Sequence, residues 1–323
     1  MGHSFTLLDK MDFEAVLLPL GTDAANRNKY QEFSGYLLKL QNGKNYSSIL
    51  LDCGNKYCAS LDIVNPENLE LIILSHHHLD HTLYLGLLVK RLRKWGRKKP
   101  LSIVCHDYTW KKIKWLILLL NFGIPSFIKH ISIPIPMSKP YLRTRKKKAT
   151  TNYSRVFNLN YQFSAENFVM KIKASPAIHT RGTLAYRLKI YVNSNSNRFL
   201  DLVYCPDTSF SSDHLIEFAK NTSYWLLDST FRREYIDHEY TKFKENKRGG
   251  EISGHSCPYY SGKLCEKANA SIYVIIHYFW ERFAEKYKNT ERNLMKRAQK
   301  SFSGALIVAK ELEPILLKLK KEK

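Results

Sequence analysis

The chain has 323 residues, 44% of them hydrophobic, which predicts one large folded domain or two modest ones and excludes disorder throughout. Its six cysteines are scattered without a Cys-x-x-Cys pair, which excludes a zinc-finger spacing and a dense disulfide framework. Reduced cysteines, no signal-like N-terminus and no apolar run of about 20 residues together predict a cytoplasmic protein without a membrane segment.

The formal net charge of +22 is distributed unevenly along the chain. Residues 81–160 contain 18 Lys or Arg and one acidic residue, Asp107, so this segment alone has a net charge of +17. Such a basic segment within an otherwise ordinary chain indicates a polyanionic partner. A solvated, lysine-rich surface accounts for the more dilute positive charge of the C-terminal half.

In chain order, short apolar runs first predict four strands. These are Ala15–Leu20, Ser34–Leu40, Ser47–Asp52 and Leu69–Ser75. Leucines at helical spacing then predict a helix over Asp80–Trp95, before a strand over Leu101–Cys105 and a helix over Trp110–Leu120. Prolines and the basic run that follows predict a loop or mobile arm, inserted in the domain around residues 131–153.

The second half repeats this order of strands followed by helices. Strands are predicted over Phe168–Ala174, Leu184–Val192, Phe199–Cys205, Tyr224–Asp228 and Ala270–His277. Helices are predicted over Ser212–Lys220, Pro258–Asn269 and Thr290–Lys300, a loop over Glu239–Gly254, and a final hairpin over Ala305–Ala309 and Pro314–Leu319. Two batches of strands, each followed by helices, favour an α/β fold in which two sheets lie between helices.

A dense group of metal-ligand side chains lies between the fourth strand and the first helix. The segment Ser75-His76-His77-His78-Leu79-Asp80-His81 places four histidines and one acid within six residues. In an extended segment, residues two apart point to the same side, so His76 and His78 can share one metal while Asp80 and His81 face a second. Imidazole and carboxylate ligands suit Zn, Mn or Fe.

Further ligands are expected where His or Asp follows an apolar strand. His179, Asp207 and His277 all stand in this relation to a predicted strand. Each position is weak evidence alone, because polar residues are common at strand ends. His255 lies in the loop Gly254-His255-Ser256 and has the character of a proton-transfer residue.

His76-x-His78-x-Asp80-His81 resembles the signature of the metallo-β-lactamase superfamily, and the chain most resembles its RNase Z-like branch. Further motifs follow in that branch's order over nearly the full length. They are Pro19–Asn28, Leu51-Asp52-Cys53-Gly54, His179–Leu188, Tyr204-Cys205-Pro206-Asp207-Thr208, Leu227-Asp228-Ser229-Thr230-Phe231, Gly254-His255-Ser256 and His277-Tyr278-Phe279. The resemblance implies a single αββα domain over 1–323, with two mixed sheets flanked by helices.

The resemblance also implies residue roles. His76, His78 and His179 would hold one divalent ion, Asp80, His81 and His277 a second, and Asp207 would bridge them, with zinc as the ion expected first. Hydroxide generated at the metals would attack phosphorus, with Asp80 taking the proton. His255 would protonate the leaving oxygen, Asp228 would orient His255, and Asp52 would orient the site.

Several positions depart from the branch's pattern. Only 27 residues separate His179 from Asp207, which leaves no room for the arm by which RNase Z enzymes grip tRNA. Asn55-Lys56-Tyr57-Cys58 replaces a Glu-Gly-Thr-Gln, and Leu227-Asp228 replaces a His-Glu. The basic segment between Lys90 and Arg155 is expected to replace the missing arm. Its RNA-binding side chains are predicted to be Arg143, Arg145, Lys146, Lys147 and Lys148.

The function expected first is an endoribonuclease that removes the 3′ trailer of precursor tRNA and acts as a homodimer. The first alternative is a small-substrate phosphodiesterase of the cyclic-nucleotide type, which shares the ligands and lacks the arm. A non-catalytic nucleic-acid-binding module with a relict site is the alternative from another class, and a lactamase or thiolesterase is a further one. The first two differ in whether the 90–99 cluster and Arg143–Lys148 face the metals.

Overall fold

The structure is a computed structural model, which describes residues 13–24, 31–134, 156–162, 168–192, 196–209, 212–230, 254–278 and 291–321. These residues form two β-sheets packed face to face, with helices against the outer face of each sheet. Among the helices described, none is both long and apolar enough to cross a membrane.

The first sheet combines the N-terminal strands with one strand from near the C-terminus. Its members are β1 (Glu14–Gly21), β2 (Gly35–Asn42), β3 (Asn45–Leu51), β4 (Leu69–Ile73), β5 (Leu101–His106), β6 (Ile128–Ile133) and β14 (Ile315–Leu317). Their spatial order is β14-β1-β2-β3-β4-β5-β6, and the strands from β3 to β6 are parallel.

The second sheet is built from the later strands. Its members are β7 (Phe157–Gln162), β8 (Val169–Pro176), β9 (Leu184–Tyr191), β10 (Arg198–Cys205), β11 (Tyr224–Asp228), β12 (Ile272–Ile276), β13 (Ala305–Val308) and β15 (Lys320–Lys321). Their order is β13-β12-β11-β10-β9-β8-β7, with β15 also paired to β10. The strands from β10 to β13 are parallel, so both sheets are mixed.

The helices cover the outer faces. They are α1 (Leu79–Thr82), α2 (Leu85–Trp95), α3 (Asp107–Asn121), α4 (His214–Phe218), α5 (Pro258–Lys267) and α6 (Glu291–Gln299), with a 3₁₀ turn at Lys56–Ala59. Side chains of α2 and α3 share one apolar cluster with the first sheet, and those of α4, α5 and α6 share another with the second. Because strand side chains alternate between faces, the opposite faces of both sheets form the central cluster. This is the αββα sandwich that the sequence predicts.

Two predicted elements differ in the structure, and the structure adds strands that were not predicted. The helix predicted over Asp80–Trp95 is interrupted between α1 and α2. The loop expected from Ile131 begins later, because β6 continues to Ile133 and Pro134, which has no N–H to donate, follows it. The strand β7 was not predicted, since its Asn-containing sequence is only half-buried on one side. The rest of the proposed insert, 135–153, lies outside the described residues.

The predicted C-terminal hairpin is wrong. β13 pairs in parallel with β12 in the second sheet, whereas β14 pairs antiparallel with β1 in the first. The connection between them crosses from one sheet to the other. Ala309 N–H donates to Ile275, and Leu312 N–H donates to Pro19 with Leu312 in the left-handed region. Two strands that are adjacent in sequence therefore form edges of two different sheets.

Candidate metal centre

The carboxyl ends of parallel strands from both sheets meet at one edge of the sandwich. The segment after β4 brings His76 there, β10 leads to Asp207, and β12 leads directly to His277. His277 has a left-handed backbone with φ of 50°. A non-glycine residue in this region stores about 1–3 kcal/mol of strain, which is characteristic of functional sites.

His76, His78, His179 and Asp207 form the first cluster, with one ligand atom from each within 4.8 Å of the others. Asp207 Oδ2 lies 3.3 Å from His76 Nε2 and 3.1 Å from His179 Nε2. His179 Nε2 is also 3.1 Å from Nδ1 of His78. Four ligand atoms from distant parts of the sequence therefore converge on one point.

Asp80, His81 and His277 form the second cluster. His81 Nε2 lies 3.2 Å from His277 Nε2 and 3.3 Å from Asp80 Oδ2. Asp207 Oδ1 lies 3.1 Å from His277 Nε2 and 3.5 Å from His81 Nε2. The two oxygens of Asp207 thus face different clusters, which is the arrangement a bridging carboxylate requires.

The ring nitrogens that face away from the clusters are held by fixed acceptors. Nδ1 of His81 donates to Asp52 Oδ2 at 2.7 Å, and Nδ1 of His179 donates to the carbonyl of Gly254 at 2.9 Å. Carboxylate and carbonyl oxygens only accept, so both rings donate from Nδ1 and turn Nε2 toward the clusters. A Cβ at Gly254 would lie 2.6 Å from Nδ1 of His179, so this approach requires glycine.

These residues fit divalent cations. Nε2 of His76 and Oδ1 of Asp207 are buried and have no hydrogen-bond partner among the described residues, although buried polar atoms normally have one. The ligand atoms are separated by 3.1–3.6 Å. That spacing matches what N and O ligands keep around an ion at about 2.0–2.1 Å. The donor set, histidine nitrogen with carboxylate oxygen, is that of zinc and similar metals.

The two clusters differ electrostatically. Burial, with the neighbouring histidines, lowers the pKa of His76 far below the usual value and that of His179 to about 4. Burial has the same sign at His81, but Asp207, Asp80 and Asp52 outweigh it and raise its pKa. Burial opposes ionisation of Asp80, but His81 and His277 more than offset it and lower the pKa of that carboxyl. The second cluster therefore gives His81 the more negative surroundings, because three carboxylates act on this ring.

Comparison with known proteins agrees with this geometry. The protein-family model described as the β-lactamase superfamily domain matches residues 47–278, which is more than half of the chain. The chain belongs to the metallo-β-lactamase superfamily, whose members are metal-dependent hydrolases. The family fold accounts for the His/Asp clusters as sites for divalent ions.

Curated relatives within this superfamily carry the name ribonuclease Z. One from Methanococcus maripaludis strain C5 is 32% identical over 141 residues, which is 43% of this chain and 41% of that protein. One from Pyrococcus horikoshii is 22% identical over 69% of this chain and 81% of its own length. The chain thus spans less than half the length of the first relative.

Solved structures share the metallo-β-lactamase fold. The metallo-β-lactamase fold protein YhfI from Bacillus subtilis superposes with a TM-score of 0.64 at 21% identity, covering 94% of this chain and 99% of that one. A long-form RNase Z from yeast gives a TM-score of 0.66 at 16% identity, covering 94% of this chain and 42% of that chain. At these identities the superpositions establish the fold alone.

His255 and Asp228 form an ion pair beside the clusters of this metallo-β-lactamase site. His255 Nδ1 lies 3.0 Å from Asp228 Oδ2, and the ring of His255 lies 4.6 Å from that of His179 and 5.6 Å from that of His277, centroid to centroid. Burial lowers the pKa of His255, but Asp228 and Asp207 outweigh it and raise the value to about 9. Thr230 donates to Asp228 through both its backbone N–H and its hydroxyl, which fixes the carboxylate.

Asp52 connects the clusters to the strands behind them. Its left-handed backbone, with φ of 58°, turns the carboxylate toward Ser75, His81 and Tyr204. Ser75 donates to it from both its N–H and its hydroxyl, and the Tyr204 hydroxyl donates at 2.7 Å. The sequence predicted Asp52 as an orienting residue. Ser75, Tyr204 and Thr230 were missed, because ordinary Ser, Tyr and Thr positions carry no motif.

A basic and aromatic rim beside His77 was also missed by sequence reasoning. The Tyr108 ring lies 5.4 Å from the ring of His77, and both Arg181 (4.7 Å) and Lys112 (5.6 Å) lie over it. Within the described part of the chain, neither cation forms an ion pair with a carboxylate. The available signal was position, since Tyr108 comes two residues after β5, at the edge where the candidate ligands gather.

The two basic groups proposed from the sequence have different outcomes. Arg143, Arg145, Lys146, Lys147 and Lys148 lie outside the described residues. The 90–99 cluster lies at the end of α2 remote from His81 and does not face the candidate metal ligands, which is the outcome that favours the small-substrate alternative. Arg91, Arg93 and Arg97 donate to main-chain carbonyls there, and Lys99 pairs with Glu70. These bonds connect α2 and the residues after it to the 3₁₀ turn, to the end of α3 and to the starts of β4 and β5.

Proposed function

We propose that this protein is a metal-dependent phosphodiesterase that acts as an endoribonuclease on the 3′ trailer of precursor tRNA. One observation carries the proposal. Asp207 joins two His/Asp clusters, and the His255–Asp228 pair lies beside them with its ring over His179. This combination supplies paired cation sites and a positioned proton donor, which is what hydrolysis of a phosphodiester needs.

In this proposal His76, His78 and His179 hold one divalent ion, Asp80, His81 and His277 hold another, and Asp207 lies between them. Zinc suits these ligands best, and Mn or Fe would also bind them. A divalent ion held there would lower the pKa of a bound water from about 15.7 to about 7 and would polarise a phosphoryl oxygen.

The chain's own residues handle the protons. The carboxylate of Asp80, which lies beside His81 and His277, accepts the proton of the attacking water as the water oxygen bonds to phosphorus. As the bond between phosphorus and the leaving oxygen breaks, His255 gives that oxygen a proton. Asp228 holds Nδ1 of His255 and stabilises the charged ring before the transfer.

Two findings favour RNA as the substrate. The curated relatives are ribonuclease Z proteins, at 32% and 22% identity for the two compared above. Arg181 and Lys112 lie over the Tyr108 ring at the edge of the site without carboxylate partners among the described residues, which suits a phosphate backbone. Arg143, Arg145 and Lys146–Lys148 stay predictions as RNA contacts, as do a homodimer and a cytoplasmic location.

A small phosphodiester is the second candidate substrate. The observation that favours it is the position of the 90–99 cluster, which lies away from the metal ligands and is largely engaged with main-chain carbonyls. The non-catalytic alternative is disfavoured, because all seven predicted ligands converge and a relict site would be expected to lose some of them.

The deciding experiment compares two substrates with the purified chain. A precursor tRNA and bis-p-nitrophenyl phosphate are incubated with added Zn or Mn and, in parallel, with chelator. The proposal expects chelator-sensitive release of the 3′ trailer. Chelator-sensitive hydrolysis of the ester beside an intact tRNA would transfer the function to a small phosphodiester. Hydrolysis of neither substrate with metal present would overturn the proposal.

A further inference from the structure

One face of α3 carries an unusual series of exposed side chains that begins at the metal ligands. Counted at 100° per residue, Tyr108, Lys112, Trp115 and Leu119 lie within an arc of about 60° on the helix surface, and Phe122 is the left-handed residue that follows the last helical residue. Trp115 is 58% exposed, Leu119 73% and Phe122 98%. We call these five residues the α3 stripe. Large apolar side chains exposed in a continuous row mark an interaction surface.

The stripe alternates aromatic rings with positive charge. Its aromatic residues are seven positions apart, which is about 10.5 Å along a helix. Lys112 lies over the Tyr108 ring and Lys114 lies 5.6 Å from the Trp115 ring. The one acidic residue of α3, Asp107, accepts a hydrogen bond from Ser132 on β6 and does not neutralise the stripe. This composition suits a negatively charged partner with flat, stackable groups.

The stripe runs between two separate features, the metal centre and the 90–99 cluster. Its first residue, Tyr108, contacts His77 between the metal ligands His76 and His78. At its far end, Phe122 lines a cavity of about 510 Å³ together with Arg93 and Lys98 of the 90–99 cluster. That cluster does not face the metals, but it lies where a strand that ran along α3 would arrive, about 22 Å from Asp107 for a 15-residue helix.

We infer that single-stranded RNA runs along the α3 stripe from the metal centre toward the 90–99 cluster, with bases stacked on Tyr108, Trp115 and Phe122. Arg181, Lys112 and Lys98 contact its phosphates. Proteins that bind single strands without sequence preference combine aromatic platforms with basic grooves in this way. The inference rests on the proposed function, because it supplies the path of the strand on one side of the cleaved bond.

The test measures the affinity of the full-length chain for a fluorescent 12-nucleotide oligoadenylate by anisotropy, in chelator so that no cleavage occurs. Trp115→Ala and Phe122→Ala are each expected to weaken binding about tenfold, because each removes one stacking platform. The double change Lys112→Gln and Arg181→Gln is expected to reduce the slope of log affinity against log salt by about 1.4, or about 0.7 for each lost contact.

Two matched controls are available on other elements. Leu316 on β14 is 61% exposed, at the opposite edge of the first sheet from α3, so Leu316→Ala removes similar apolar exposure elsewhere. Lys171 on β8 lies 4.8 Å over the Tyr191 ring, so Lys171→Gln removes an equivalent cation–ring pair. Both control variants are expected to bind the oligonucleotide as the unchanged chain does.

Three outcomes would overturn the inference. Stripe variants that bind RNA as tightly as the controls would show that the strand does not follow α3. Stripe variants that change the oligomeric state, at unchanged RNA affinity, would make the stripe an interface between copies. RNA affinity that falls as much in the control variants as in the stripe variants would also contradict the inference. Cleavage of a precursor tRNA by the unchanged chain with added metal is measured in parallel. If the 3′ trailer is released, loss of the stripe effect leaves the proposed function intact; if it is not released, the proposed function fails separately.

Discussion

At the scale of single residues, the carboxylate of Asp52 shows how the site is held in place. It accepts hydrogen bonds from Ser75, from Tyr204 and from Nδ1 of His81, and each of these residues belongs to a different segment. Hydrogen bonds of this kind fix the tautomer and orientation of a metal-ligating histidine. The site's geometry therefore depends on a residue that does not itself reach the cluster.

Asp52→Asn is expected to weaken metal binding about 10- to 100-fold, because both carboxylate oxygens accept hydrogen bonds and an amide NH₂ in place of one of them would leave either His81 or the Ser75 N–H without its acceptor. Metal affinity is measured by competition with a chromogenic chelator, and folding by circular dichroism. Tyr204→Phe, which removes a single donor to the same carboxylate, serves as the control and should have the smaller effect. Unchanged metal affinity in the Asp52→Asn variant would contradict the role given to this carboxylate.

His78→Ala is expected to lose bound metal and phosphodiesterase activity, because the His78 side chain contacts His179 within the cluster. The fold is expected to be kept, because His78 is only half-buried. Metal content is measured by mass spectrometry after gel filtration. His77→Ala, the neighbouring change, should retain the metal, because His77 belongs to neither ligand cluster. Full activity of His78→Ala without metal would defeat the proposed chemistry.

The convergence of the signature residues was predictable from the sequence, because these candidate ligands stand at strand ends, where spacing and order are informative. His76, His78, Asp80, His81, His179, Asp207 and His277 all come together as expected. Residues such as Ser75, Thr230 and Tyr108 were not predictable, because their roles depend on which strands become neighbours. Only the pairing of the two sheets brings them to the ligands.

At the scale of elements, a buried ion pair joins three strands of the second sheet. Arg187 on β9 makes two hydrogen bonds to Asp201 on β10, at 2.9 and 2.8 Å, and Lys320 on β15 lies 2.6 Å from the same carboxylate. Burial opposes ionisation of Asp201, but Arg187 and Lys320 outweigh it and lower its pKa. The short strand β15 is therefore fastened by charge as well as by two backbone pairs.

Arg187→Met is expected to destabilise the protein by less than the roughly 3–5 kcal/mol of a fully unpaired buried charge, because Lys320 still pairs with the Asp201 carboxylate. Since the folded-state pKa of Asp201 is lowered, this contribution is present above the unfolded pKa of about 3.9 and is lost as the pH falls through the folded value. Urea unfolding at pH 7 and at low pH measures it. Lys173→Met, an exposed change on β8, should be nearly neutral. A cost for Arg187→Met that does not shrink in acid would contradict this account.

Strand predictions succeeded where an apolar run is buried on both faces of its sheet. They failed where the result depended on which strand pairs with which. The strands before His76 and before Asp207 are found as expected, because their apolar runs are buried on both faces. The C-terminal hairpin failed, because β13 and β14 are adjacent in sequence but find partners in different sheets. The local sequence pattern does not indicate which strand β13 or β14 pairs with.

At the scale of the whole molecule, the two sheets are linked at the site edge. Leu184 N–H donates to Ser75, Tyr278 N–H donates to Thr22, and the Tyr186 hydroxyl donates to Leu74, each joining one sheet to the other. Glu311, in the crossing between β13 and β14, accepts from the N–H groups of Thr22 and Glu32. Relative motion of the sheets would therefore disturb the ligand positions.

Burial raises the pKa of Glu311 to about 7 despite these two hydrogen bonds. Because the folded-state value is raised, its stabilising effect is present below the unfolded pKa of about 4.3 and is lost as the pH rises through about 7. Glu311→Gln is therefore expected to raise the melting temperature relative to the unchanged chain at pH 8, and to have little effect at pH 5. The exposed change Glu313→Gln is the control. A difference that grows toward pH 5 would contradict the assignment.

The most direct test of the metal-dependent mechanism is metal titration of the stripped protein. The purified chain is freed of metal with chelator and then supplied with Zn or Mn, while bound ions and hydrolysis of bis-p-nitrophenyl phosphate are measured together. The account predicts that activity is absent from the stripped chain and returns as up to two ions bind per chain. Hydrolysis that persists in chelator, or ions that bind in this ratio without restoring hydrolysis, would contradict it.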